Sequence, residues 1–250
     1  MTTISSQIRR IQEKFRAAKS AVFFTGSGIS AESGVPTFRG GDGFWSKFRP
    51  EELASLDAFR RDPNRVHDWY SYRRKLIMEA QPNQAHEIIA ALSIKNTHKI
   101  AVITQNVDRL HQRAGSGGVV ELHGTLMESY CVQCGNGHSH NALSEDSFGI
   151  NCANKNCTGL MRPAVVWFGE SLSLESLTTA TKLSVESDIF FSIGTSGLVY
   201  PAADLPLMAK RYGAYTVEVN PESTPMSGYM DEAALGTSNE VLTRVFDNFL

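Results

Sequence analysis

Five short apolar runs, Ala21–Thr25, Lys99–Thr104, Ala164–Phe168, Asp188–Ile193 and Tyr215–Val219, constrain the fold most. Helical patterns fall between most of them, at Asn83–Ile94, Leu174–Ser187, Pro201–Tyr212 and Asn239–Phe249. A strand that is apolar throughout has both faces covered, as happens when crossover helices flank a parallel sheet. The alternation therefore predicts an α/β fold, a Rossmann-type parallel sheet with helices on both faces. Two stretches interrupt it. Gly40 to Ala80 is rich in Trp, Tyr and Arg and offers no strand, and Ser129 to Met161 is polar and holds all four cysteines. These read as insertions that form a smaller helical and zinc-binding module. The predicted division is a dinucleotide-binding domain from 1–39, 81–128 and 162–250, a helical insertion at 40–80 and a zinc-binding insertion at 129–161.

The chain of 250 residues is 42% hydrophobic and 20% charged with net charge −2, so no long-range pull draws it to nucleic acid or anionic membrane. No apolar run approaches the roughly 18 residues a membrane span needs. Ile4, Ile8, Ile11 and Phe15 recur at helical spacing, which predicts an amphipathic first helix. The same segment lacks a secretory apolar core, and Glu13 is out of place in a mitochondrial presequence. A cytoplasmic location is expected.

Cys131-x2-Cys134 and Cys152-x4-Cys157 have metal-ligand spacing. Four thiolates saturate tetrahedral zinc and leave no open position for water, so the expected site is structural. His138 and His140 are rival ligands. A nucleic-acid-binding zinc ribbon would use similar spacing, but the intervening GNGHSHNALSEDSFGIN has no Lys or Arg to meet phosphates.

The first apolar run leads into Gly26-Ser27-Gly28-Ile29-Ser30-Ala31, a G-x-G-x-x-A at a strand-to-helix turn. Such a turn lets backbone N–H groups approach a pyrophosphate, though a glycine turn that binds nothing has the same pattern. A nicotinamide dehydrogenase would continue through a helix into a strand ending in an acidic residue about 20 positions on. Here Gly34-Val35-Pro36-Thr37-Phe38-Arg39-Gly40-Gly41 breaks any long helix, which points to a loop over a dinucleotide used for something other than hydride transfer. The second run ends in Gln105-Asn106-Val107-Asp108, and strand ends of this kind are where open α/β sheets bind ligands. A helix N-cap in polar company is the plainer reading of that cluster. His123 follows a short strand, Val119–Leu122, and precedes a glycine, which makes it a candidate general base. His111 is its rival.

The strings TGSGISAESGVPTFRG, TQNVDRLHQRAG, ELHGT, RPAVVWFGE, GTSGLVYPAA and VEVNP, with the four cysteines, occur in the order found in sirtuins. The chain resembles that family of NAD-dependent protein deacylases from about Ala21 to Val241. The resemblance implies NAD across the strand ends, with its pyrophosphate at Gly26, Ser27, Gly28, Ile29 and Ser30 and its nicotinamide carboxamide at Asp108. It implies Phe38 and Arg39 over the reacting ribose, Gln105 and the catalytic Asn106 positioning that ribose, and His123 as the base. Gly194, Thr195, Ser196, Asn220 and Glu222 would also contact NAD, with Gly236 and Ser238 near adenine. The chain departs from the family at Ser27, where Ala is usual, and matches only loosely around Ala-Leu-Gly-Thr-Ser.

Substrate would be acyl-lysine in an extended protein segment paired along Val166, Phe168, Gly169 and Glu170. Tyr70-x-x-Arg73, with the small Ala54, resembles the pocket of sirtuins that take succinyl, malonyl or glutaryl groups, and a phenol and a guanidinium can bind a distal carboxylate. Packing on a helix that also carries Val66, Trp69, Leu76 and Ile77 is the plainer account of that pair. The expected reaction releases nicotinamide and O-acyl-ADP-ribose. A protein ADP-ribosyltransferase on the same NAD site is the alternative.

Overall fold

The computed structural model describes residues 2–37, 49–95, 98–140 and 150–249. Strands β1 (Ser20–Thr25), β2 (Lys99–Thr104), β3 (Val120–Glu121), β7 (Ile189–Ile193), β8 (Tyr215–Asn220) and β9 (Glu232–Leu235) form a six-stranded parallel sheet in the order β3-β2-β1-β7-β8-β9. Every residue of β7 and nearly every residue of β1 is buried, as a sheet covered on both faces requires. One face packs on helices α1 (Thr2–Ala17), α5 (Gln84–Lys95) and α9 (Ser238–Phe246), through a core that includes Ile11, Phe15, Phe23, Ile89, Phe191 and Phe246. Phe15 meets Phe246 edge-on, with ring centroids 4.8 Å apart. The other face packs on α7 (Leu174–Val185) and α8 (Leu205–Arg211) through Phe24, Phe190, Ala180 and Leu205.

The smaller layer combines α2 (Pro50–Leu53), α3 (Leu56–Arg61), α4 (Pro63–Glu79) and a short helix α6 (Leu110–Arg113) with a three-stranded antiparallel sheet. That sheet has the order β5-β4-β6, from Gly137–Ser139, Gly124–Cys131 and Met161–Val165. Its core joins helix to strand: Ala58, Phe59, Val66, Tyr70 and Ile77 pack with Leu110, Leu126, Val165 and Trp167. Helix α4 starts where Asp62 accepts a hydrogen bond from Arg65 N at 3.1 Å and Pro63 supplies a first-turn φ, a well-formed N-cap.

The apolar run expected at Ala164–Phe168 is displaced and belongs elsewhere. Its strand is Met161–Val165, and it pairs antiparallel with β4 rather than joining the parallel sheet. Cys131 closes β4 and Cys152 and Cys157 precede β6, so the four thiols draw the chain back alongside itself. Apolar content signals burial but says nothing of which sheet does the burying. No helix among the described residues is long and apolar enough to cross a membrane.

Candidate functional site

Strands β1, β2, β7 and β8 deliver their C-terminal ends to one place. There the backbone crosses itself at glycines. Gly26 N donates to Ile193 O and Gly28 N to Gly194 O, both at 2.9 Å. A Cβ on Gly28 would lie 2.6 Å from Gly194 Cα, and one on Gly194 (φ 61°) 2.4 Å from Ile29 N. Glycine is therefore demanded by the crossing of two chain segments. The N–H groups of Gly26 and Gly28 are spent on that crossing. A seven-residue 3-10 helix, Ser27–Ser33, follows and stops at Gly34 in the left-handed region (φ 83°), where the sequence places the helix break.

Register places Thr25 beside Thr104, and their hydroxyls bond at 2.8 Å. Thr104 Oγ1 accepts from Asn106 N at 3.0 Å. The Asn106 amide donates to Gly26 O (3.1 Å) and Ser30 Oγ (3.2 Å), and Ser30 Oγ donates to Asp108 Oδ2 at 2.7 Å. Asp108 Oδ1 accepts from Leu110 N at 3.0 Å. Burial pushes the Asp108 carboxyl above its usual range, and these hydrogen bonds oppose the rise. Gln105 Nε2 donates to Thr195 Oγ1 (2.8 Å), and Asn220 Nδ2 donates to Thr195 O (3.1 Å) and Glu218 Oε1 (3.0 Å). Gly236 N donates to Asn220 O at 3.0 Å. Ser238 is buried at the start of α9, while Glu222 is exposed. Ser30, Gln105, Asn106, Asp108, Thr195 and Asn220, from four strand ends, thus lie side by side in one hydrogen-bonded bed. Phe38 and Arg39 lie outside the described residues.

The two histidines part company here. His111 is buried with Nε2 3.0 Å from Thr25 Oγ1 and its ring against His86, and burial pushes its pKa down to about 3. It is a neutral strut behind the strand ends. His123 is half-buried, and its Nδ1 lies 3.0 Å from Gln105 O. A carbonyl only accepts, so Nδ1 carries the proton and Nε2 the lone pair. Burial lowers its pKa, so the ring is neutral at pH 7 and able to take up a proton.

Helix α4 buries Tyr70 and Arg73 on the face it also gives to Val66 and Ile77. The indole Nε1 of Trp167 donates to Tyr70 Oη at 2.9 Å. That leaves the phenol its own proton, and burial raises its pKa to about 12. The Arg73 guanidinium sits 4.7 Å from the Trp69 ring centroid and 5.6 Å from that of Tyr70. Burial lowers its pKa to about 10, with Tyr70 and Asp108 opposing the fall, so it remains a cation at pH 7. Ala54 O accepts from Phe168 N at 2.9 Å, which brings Ala54 to the same wall. Tyr70 and Ala54 are both part of the small layer's packed core.

Along the expected peptide edge, Val166 N donates to His123 O at 2.9 Å and Trp167 N to Glu170 Oε2 at 2.8 Å. Phe168 and Gly169 (φ 88°) are exposed. Glu170 is held by Arg162 through both carboxylate oxygens, at 2.5 and 2.8 Å, and Arg162 lies 3.5 Å over the Trp167 ring. Sequence reasoning picked out neither Arg162 nor Trp167 as site-forming. Both lie in RPAVVWFGE, and an arginine five residues before a tryptophan carries no periodic signal.

A family model described as the Sir2 family matches residues 26–201. An NAD-dependent protein deacylase of Aquifex aeolicus (strain VF5) is 49% identical over 226 residues, covering 90% of this chain and 93% of the relative. The chain belongs to the Sir2 family. Among solved structures, a Sir2 homologue–NAD complex superposes with TM-score 0.86 at 40% identity, covering 96% of this chain and 93% of that one. A Sir2–p53 peptide–NAD+ complex gives 0.86 at 34% identity, with 97% and 98% covered.

The four-cysteine cluster of this Sir2 protein fits a metal. The Sγ atoms of Cys131, Cys134, Cys152 and Cys157 all lie within 4.8 Å of one another. The pairs Cys131–Cys157 and Cys134–Cys152 are 3.6 Å apart. Ligands about 2.3 Å from a tetrahedral zinc stand roughly 3.8 Å apart, so the cage has the size for zinc. Gln133 N, Asn154 N and Gly159 N point at Sγ of Cys131, Cys152 and Cys157 at 3.3–3.4 Å, donors that stabilise thiolate. A Cβ on Gly159 would lie 2.6 Å from Cys131 Sγ. His140 instead bonds Ser129 Oγ at 2.9 Å. With four thiolates the ion has no vacant position, and its chemistry is structural.

Proposed function

We propose that this protein removes acyl groups from protein lysines by consuming NAD, releasing nicotinamide and O-acyl-ADP-ribose. NAD lies across the strand ends, with the pyrophosphate beside Gly26 to Ser30 and adenine toward Gly236 and Ser238. Gly194, Thr195, Ser196, Asn220 and Glu222 line its path, and Phe38 and Arg39 cover the reacting ribose. Asp108 receives the carboxamide, and Gln105 and Asn106 orient the ribose. The acyl oxygen attacks the ribose carbon as nicotinamide leaves. His123 Nε2 then takes a proton from a ribose hydroxyl, whose oxygen attacks the imidate carbon. Water completes release of the free lysine. The observation that carries this reading is the His123 tautomer, fixed by Gln105 O one residue from Asn106.

Residues 1–39, 81–128 and 162–250 carry NAD in this reading, while 40–80 and 129–161 shape the acyl-lysine side. The peptide runs extended along Val166, Phe168, Gly169 and Glu170. Backbone pairing of this kind gives affinity with little sequence preference. The acyl pocket accepts acidic groups such as succinyl or malonyl. Tyr70 keeps a proton to donate and Arg73 keeps its charge, so both can meet a distal carboxylate beyond Ala54. Acetyl-lysine fits the same space without that partner. Rates on acetyl-lysine and succinyl-lysine versions of one peptide test both halves. His123→Tyr should abolish both, and Arg73→Met should abolish the succinyl preference while deacetylation persists. A His123→Tyr enzyme with full activity refutes the mechanism. Product mass separates deacylation from ADP-ribosyl transfer to protein, which would leave ADP-ribose on the peptide.

A further inference from the structure

Arg109 is the one non-glycine residue with positive φ among the described residues (φ 56°, ψ 21°). A left-handed backbone brings Cβ against the following carbonyl, which makes the conformation about 5- to 30-fold less populated for a residue with a side chain. It sits beside Asp108, at the centre of the turn in which Asp108 Oδ1 accepts from Leu110 N. That turn decides where the second carboxylate oxygen points, here toward Ser30 Oγ. Something must hold it.

Two ion pairs are placed to do so. Arg109 Nε meets Glu121 Oε1 at 3.3 Å, and Nη2 meets Glu128 Oε1 at 2.7 Å. Glu121 belongs to β3 of the large sheet and Glu128 to β4 of the small one. Glu121 Oε1 also accepts from Gln112 Nε2 at 3.0 Å, which ties the following helix to the same carboxylate. The far end of α6 is fastened as well, with Arg113 donating to Ile77 O at 2.9 Å and to Ala80 O. The strained residue is thus clamped between both layers, and its partner Glu121 lies two positions before His123.

We propose that Arg109 is a positioning residue: its bridge from Glu121 to Glu128 maintains a left-handed turn that aims the Asp108 carboxylate at the nicotinamide side of the site. The inference rests on the reading of Asp108 given above. A clamp explains why so flexible and costly a side chain occupies a position where glycine would adopt the turn unaided.

Three variants test it through KM for NAD, the nicotinamide inhibition constant and kcat. Arg109→Ala keeps the strain and loses the clamp. Its KM for NAD and its nicotinamide inhibition constant should rise together by about 5- to 30-fold, with kcat at saturating NAD within about twofold. Arg109→Gly loses the same ion pairs but relieves the strain, and should return to within about threefold of wild type. Equal KM values for the Ala and Gly variants overturn the proposal, whether both are normal or both impaired. Glu128→Gln leaves residue 109 unchanged and should move in the direction of Arg109→Ala by a smaller factor; an unaltered KM there also counts against the clamp. Asp108→Asn serves as the reference. Wild-type nicotinamide inhibition in that variant refutes the assignment of Asp108 itself, whichever way the Arg109 variants fall.

Discussion

The hydrogen bond from Trp167 Nε1 to Tyr70 Oη joins β6's continuation to α4 inside the small layer, and its energy can be isolated. Both partners are buried, with Trp167 at 1% exposure and Tyr70 at 3%. Trp167→Phe removes the donor and strands a buried hydroxyl, while Tyr70→Phe removes the acceptor and strands an indole N–H. A neutral hydrogen bond contributes about 0.5–1.5 kcal/mol net, and a stranded buried polar group costs about 1–3 kcal/mol. Trp167→Phe also loses ring volume against Phe59, whose centroid is 5.3 Å away, and the stacked Arg162. That term appears in the single and double variants alike and cancels in the cycle. The double variant strands nothing, so its loss should be smaller than the sum of the single losses by about 1–2 kcal/mol. Urea unfolding at saturating zinc measures the three values, and each kcal/mol corresponds to about 2–4 °C in Tm at this chain length. Additivity within about 0.5 kcal/mol refutes the claim that this bond matters to the wall of the pocket.

Acid should weaken the fold before carboxylates titrate. Burial lowers His86 to about 4 and His111 to about 3, so below about 6.5 the unfolded chain binds protons that the folded chain refuses. Stability therefore falls as pH drops, by up to about 1.4 kcal/mol per pH unit for each ring, and an unchanged urea midpoint between pH 7 and 5 refutes this. Chelating the metal should release the cysteine hairpin first, exposing its backbone to hydrogen exchange while the parallel sheet stays protected. Uniform exchange across both layers argues against a local structural role.

Strands β1, β7 and β8 of the parallel sheet were legible because they are buried on both faces, a pattern few other architectures allow. Strands of mixed character were harder to read. In β4, Gly124–Cys131, buried and half-buried positions mix without strict alternation, and β9 spans only Glu232–Leu235. The glycine turn reads equally as a phosphate cradle or as a turn that binds nothing; in the fold the N–H groups of Gly26 and Gly28 bond Ile193 and Gly194. Sequence marks that glycine is needed and not which neighbour excludes a side chain. His123 and His111 were both visible as candidates, and only burial and partners separate them. Arg162, Trp167 and Arg109 act through contacts 8 to 97 positions away in the chain, beyond any local pattern.

With Arg73 at the proposed acyl pocket and Asp108 at the proposed nicotinamide site, an electrostatic link between the two changes how Arg73→Met should be read. The charge of Asp108 favours the Arg73 cation, and by Coulomb's law the attraction is mutual. Burial already pushes the Asp108 carboxyl upward. Removing the cation removes an attraction that favours its ionised form, so its pKa should rise further. On the proposed role of Asp108, the variant should then bind NAD less well as pH is lowered, for acetyl and succinyl substrates equally. Acyl selectivity must therefore be taken as the ratio of succinyl to acetyl rates at saturating NAD, where the shared defect cancels. A ratio that collapses toward acetyl, with a KM for NAD that becomes more pH-dependent, assigns Arg73 to both sites. An unchanged ratio makes Arg73 a packing residue with an electrostatic side effect. An unchanged pH profile breaks the link to Asp108, whatever the ratio does.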